Sequence, residues 1–152
     1  MYNRIWRPPR GVYVSKGSTS VHGLSHAMVM KRGIVPTYEL SSMRPVLAAA
    51  RKAGIPIVAF NARFDCRMLD QTARAHGLTD TILDPSWVTC TYTRSRPYSP
   101  LLTVNGKRKG FANSSLYEFF FKCQPDVQLH DAFGDVCVTE ACYRRGREKR
   151  WW

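Results

Sequence analysis

The run at 55–60 (IPIVAF) constrains this chain more than any other segment. Six apolar residues in a row are too few for a buried helix, but they suit a strand covered on both faces, as in sheets flanked by helices. Its surroundings agree. Upstream, Met43, Val46, Leu47 and Ala50 recur at i, i+3, i+4 and i+7. That spacing predicts a helix over 42–53, with Pro45 in its first turn and Gly54 as its stop. Downstream, Asn61 is placed to cap a helix over 63–76 that Gly77 ends. The segment 87–93 (WVTCTYT) is β-branched and aromatic and reads as a further strand. Ser115 with Glu118 makes a capping box ahead of an apolar stripe of Leu116, Phe119, Phe120 and Cys123, and Pro125 stops that helix. A last helix is expected over 132–145. Ile5 and Trp6 ahead of Pro8 and Pro9 read as a strand end entering a proline-stopped loop, which favours a mixed sheet. Helices alternating with short strands predict an α/β domain over 1–145, followed by a basic tail at 146–152.

Charge narrows the partners. The chain has 152 residues, with 23 Lys and Arg against 11 Asp and Glu, a net charge of +12. A surplus of that size in one domain attracts polyanions, nucleic acid foremost, although charge also serves simple solubility. Hydrophobic residues at 44% exclude a disordered tail. No apolar run approaches the ~18 residues of a membrane span, and the opening MYNRIWRPPR has no signal-peptide core, so no membrane partner is expected. Cys66, Cys90, Cys123, Cys137 and Cys142 are odd in number and contain no Cys-x-x-Cys pair. Such spacing suits neither a zinc site nor a disulfide framework. It fits reduced thiols packed as small apolar residues in a cytoplasmic protein.

Two segments carry residues suited to chemistry. In IVAFNARFD, Asp65 falls one turn into the helix after a buried strand, at the strand end where open α/β sheets place their sites. The plainer reading of Asp65 is a first-turn acid complementing the helix dipole. In LHDAFGDV, His130 lies five residues before Asp135, a separation that points to different faces of one helix. The two share a site only if His130 lies in the loop, Asp131 caps the helix and Asp135 sits in its first turns. A histidine beside a carboxylate is then a general-base candidate.

Taken in order, these segments resemble the DnaQ-like (DEDDh) family of 3′→5′ exonucleases. Phe60-Asn61-Ala62-Arg63-Phe64-Asp65 is similar to the family's His-Asn-x-x-Phe-Asp motif except at Phe60. His130 and Asp135 match its His-x-x-x-x-Asp, and Ser115-Leu116 matches the helix start between the two. The segment 21–25 (VHGLS) looks like the family's pocket loop, and the likeness spans 6–143. It implies an RNase H-like fold, a mixed sheet flanked by helices. It further implies phosphodiester hydrolysis at single-stranded DNA or RNA 3′ ends by two Mg²⁺ or Mn²⁺ ions. On that resemblance His130 is the general base, and Asp135 and Asp65 are catalytic metal ligands. Asn61, Phe64, His22, Gly23 and Leu24 would contact the terminal nucleotide. The basic loop at 94–110 and the tail would hold phosphates, with Tyr92 and Tyr98 as stacking faces.

One family element is missing. The first motif, Asp-x-Glu on the central strand, occurs nowhere here, and the first acid is Glu39. By order, residues 1–6 correspond to the third family strand, so the N-terminal strands are expected to be absent. A central strand's loss leaves neighbouring backbone unpaired, at about 1–3 kcal/mol per buried amide. The expectations that follow are an N-terminally incomplete exonuclease, a chain completed by a partner or a homodimer, or an inactive nucleic-acid-binding relative. The Trp151-Trp152 end is expected to be exposed and available to a partner chain.

Overall fold

A computed structural model describes residues 4–152 as an α/β chain divided into two compact units. The first comprises Met1–Ile55 and Phe64–Pro85, and the second Pro56–Arg63 and Ser86–Trp152. Among the described residues, no helix is long and apolar enough to cross a membrane.

In the first unit, Ser15 and Ser25 start α1 (Lys16–His22) and α2 (His26–Arg32) by accepting hydrogen bonds from the amides of Ser18 and Met28. The next helix, α3, runs over Thr37–Lys52 and so begins five residues before the expected start. Pro45 therefore lies mid-helix, where it has no N–H to offer the carbonyl of Ser41. Leu40 and Glu39 explain the early start. Leu40 is wholly buried, and Glu39 accepts a 2.5 Å bond from the Trp6 indole. Leu40, Ala73 and Ile82 form the core, with Trp6, Met43 and Leu47 against it. Val46, expected on the buried stripe, is exposed. Gly54 stops α3 as the sequence indicates: at φ 69° it donates to Arg51, while Ile55 reaches back to Ala50. The expected opening strand is reduced to one parallel bridge, Trp6 with Ile34. Its part at 1–3 lies outside the described residues.

In the second unit, β1 (Ile57–Ala59) pairs in parallel with β2 (Val88–Cys90), in the register Ile57 to Val88 and Ala59 to Cys90. Among the described residues the sheet has these two strands and is parallel, not mixed. Between them in sequence comes α4 (Ala62–Ala75), which belongs to the first unit from Phe64 onward and which Gly77 closes at φ 82°. The expected second strand ends at Cys90 because Thr91–Ser95 forms α5. There, hydroxyl bonds outweigh β-propensity: Ser95 donates to the Tyr92 carbonyl, and buried Thr91 donates across to that of Ala59. An antiparallel bridge between Leu102 and Arg108 makes a short hairpin of the expected basic loop.

The helix α6 (Asn113–Phe121) is capped at Ala112 without any side-chain bond, so Ser115 lies inside the helix and makes no capping box. Left-handed Lys122 ends it ahead of Pro125, and Cys123 lies exposed beyond. The last helix, α7, spans Ala132–Glu148 from the expected Asp131 cap. Phe111, Leu116, Phe120, Val138 and Cys142 form the core. Trp151 and Trp152, expected to be exposed, are half-buried against this core. The Trp152 indole donates to the Tyr143 carbonyl, and its ring occupies the space where a Cβ on Gly146 would stand. Residues 146–152 are therefore no free tail. All five cysteines are free, and Cys66 and Cys142 are buried. Burial pushes the Cys142 thiol up to about 12.

Gly134 tests this packing most sharply, because a Cβ there would stand 2.1 Å from the Gln128 carbonyl oxygen. Gly134→Ala is expected to cost about 1–3 kcal/mol by forcing the loop off the helix. Thermal unfolding beside the wild type reads this out, and an unchanged melting temperature would contradict the close approach.

Candidate functional site

The start of α7 gathers the chemistry-bearing residues of the second unit. The Asp131 carboxylate accepts from the amides of Phe133 (3.1 Å) and Gly134 (3.3 Å), fixing where the helix begins. The preceding residue, His130, is exposed and left-handed at φ 63°. That turn brings its amide within 3.4 Å of the Asp135 carboxylate, which it meets as donor. The spacing argument required this arrangement: histidine in the loop, cap at Asp131, carboxylate in the first turn. The contact is made by the backbone of His130.

Two further residues brace the site. The Asp135 carbonyl accepts from the Asn113 side-chain amide (3.1 Å) and the Thr139 hydroxyl (2.8 Å). Asn113 also donates to Thr139 (3.1 Å), tying the start of α6 to α7. Thr139 stands four residues after Asp135, a neighbour that helical spacing could have indicated. Nothing local to Asn113 signals its partnership across 22 residues of chain.

The other expected site residues lie elsewhere. Asn61, in the second unit, takes the left-handed conformation at φ 56°, not the extended one of an N-cap. Phe64 and Asp65 belong to the first unit, in the first turn of α4. Phe64 is exposed, with the Arg67 guanidinium 5.8 Å from its ring centroid. Asp65 is half-buried, and that burial raises its carboxyl above the ordinary value against a smaller, lowering hydrogen bond. Burial, then the charges of Asp65, Asp70 and Asp84, raise the neighbouring Cys66 thiol. His22, Gly23 and Leu24 form the turn between α1 and α2. The His22 Nδ1 accepts from the Leu24 amide at 3.0 Å, and Gly23 caps α1 at φ 73°. The first unit also has a cavity of about 500 Å³ lined by Ser41, Arg44, Pro45, Leu78, Asp80 and Ile82 among others, with Arg44 and Asp80 ion-paired. None of the expected site residues lines it.

The donor chemistry sets a limit. A two-ion hydrolytic centre needs several hard oxygen ligands converging on one point. Among the described residues, no three His, Cys, Asp or Glu side chains gather closely enough to hold a metal ion. One Asp131 oxygen takes both cap amides, and one Asp135 oxygen meets the His130 amide. These residues do not by themselves fit a pair of Mg²⁺ or Mn²⁺ ions.

The raised carboxyl of Asp65 gives a pH test. The folded chain holds a proton there at pH values where the unfolded chain has lost it, so stability falls as pH rises from the ordinary carboxylate range through the raised value. Asp65→Asn is expected to melt higher than the wild type at pH 7, with the gap closing below the ordinary carboxylate range. Equal melting temperatures at both pH values would mean that Asp65 carries no burial penalty.

In comparisons with known proteins, no family model matches the chain, and none of the curated proteins matches it either.

Proposed function

We propose that the chain acts on single-stranded nucleic-acid 3′ ends as a 3′→5′ exonuclease of the DnaQ-like type, with an RNase H-like origin for its scaffold. The observation that supports it is the turn before α7, where Asp131 caps the helix and the His130 amide meets the Asp135 carboxylate. A histidine and a carboxylate at one helix start are the groups from which a general base and its orienting acid are built. Charge points the same way. Between Asp84 and Asp126 the chain carries Arg94, Arg96, Lys107, Arg108, Lys109 and Lys122 against the single acid Glu118. A strand's phosphates are the natural counter-ions of such a segment.

A second reading has its own observation. Hydrolysis on the resemblance needs Mg²⁺ or Mn²⁺, and the described residues gather no three-donor site. Binding needs none. On this reading the chain is a non-catalytic single-strand binder on the same scaffold.

One assay separates them: a 5′-labelled single-stranded oligonucleotide with Mn²⁺, with Mg²⁺ and with chelator, beside Asp135→Asn and His130→Ala. The exonuclease predicts a metal-dependent ladder shortening from the 3′ end, lost in both variants while strand binding persists. The binder predicts no ladder and an affinity that falls steeply with salt and ignores metal. Neither ladder nor binding would overturn both.

A further inference from the structure

The basic segment around the hairpin also carries a partly exposed aromatic ring, outside the α7 turn. Tyr98 ends the short helical turn Arg96–Tyr98, directly after α5. One side of its ring is covered by Trp151, at 3.9 Å between centroids and 8° between planes. Trp151 is itself held by Phe120 (4.8 Å) and Phe119 (5.8 Å). The Tyr98 ring is therefore fixed from behind, yet the residue stays 41% exposed. Its neighbours are cationic and built in. Ser99, wholly buried, accepts the Arg108 guanidinium on its carbonyl at 2.6 Å, which pins the hairpin base beside Tyr98. The hairpin closes through Thr103 to Lys107 (2.7 Å) and Lys109 to Leu101 (2.8 Å), leaving Lys107 and Lys109 exposed. At its exit, Gly110 lies so close to the Tyr92 ring that no larger residue fits. Arg96 and Arg94, two and four residues before Tyr98 in sequence, are exposed as well. Among the described residues, Arg94, Arg96, Lys107 and Lys109 belong to none of the ion pairs.

We infer that Tyr98 is a stacking platform for one unpaired nucleobase, with the flanking cations of α5 and the hairpin holding the phosphates on either side. A base face against a pre-ordered ring needs no side-chain ordering on binding, and every base has such a face. Aromatic surface framed by unpaired Arg and Lys suits a single strand better than a duplex, whose bases are already stacked. The inference rests on the nucleic-acid reading above and deepens it at a residue outside the α7 turn.

The test uses the full chain and fluorescence anisotropy at fixed salt, with two labelled probes of equal length: oligo-dT and an abasic strand with the same phosphates. The wild type is expected to bind oligo-dT roughly ten-fold more tightly than the abasic strand. Tyr98→Ala should erase that preference while keeping the abasic affinity, and Tyr98→Phe should retain it. Equal wild-type affinity for the two probes would overturn the platform and leave phosphate-driven binding standing. Binding to neither would overturn the nucleic-acid reading itself. Because the probe comparison is made on the wild type, a folding defect in Tyr98→Ala does not decide the outcome.

Discussion

The order of the second unit depends on how α7 begins. Asp131 satisfies two of the amides that any helix leaves unpaired at its start, and so chooses the first residue of a 17-residue helix. Moving that start by one residue would rotate Val138 and Cys142 about 100° out of the core. Gly134 lets the preceding loop lie against the first turn, and Asn113 and Thr139 tie α6 to the same turn. One carboxylate thereby fixes the core register and the meeting of His130 with Asp135.

The two regions of interest differ in physical character. The α7 turn is polar and built on backbone geometry, with a histidine strained into the left-handed region that few residues other than glycine favour. Non-glycine residues there mark turns that the surrounding contacts enforce. The Tyr98 face is aromatic and built on packing, with ring behind ring back to the core. The first carries the exonuclease proposal. The second makes sense for any single-strand partner, whether or not a bond is cut.

Much of this was legible in the sequence where local chemistry decided the outcome. Gly54 and Gly77 ended their helices, Asp131 capped α7, and 55–60 supplied a strand, because caps and short apolar runs act within a few residues. The misreadings share a cause: tertiary partners. α3 starts early because Trp6, 33 residues away, holds Glu39. The second strand gives way to α5 because the Thr91 hydroxyl reaches the Ala59 carbonyl. Ser115 with Glu118 looked like a cap, yet Asn113 began the helix by bonding across to α7. The terminal tryptophans read as exposed because nothing nearby in sequence announces that Tyr98 and Gly146 receive them. Within the candidate site, the sequence marked the Asp131 cap with His130 before it and Asp135 in the first turn, whereas the left-handed turn that puts the His130 amide on Asp135, and the brace by Asn113, left no local trace.

The interleaving of the two units bears on the order in which the chain acquires structure. Every residue of the first unit has been synthesised by Pro85, so that unit is free to form while the rest is still being made. The strand β1 belongs to the second unit but precedes Phe64–Pro85. It waits through that whole segment for β2, and then for α7 and the tryptophan pair that close the core. Contacts of such sequence separation form slowly, because a long loop must close before any contact stabilises it. On the ribosome the second unit is thus a late-folding body, whose β1 pairs only once β2 has emerged and whose core closes only with α7 and the packed tryptophans.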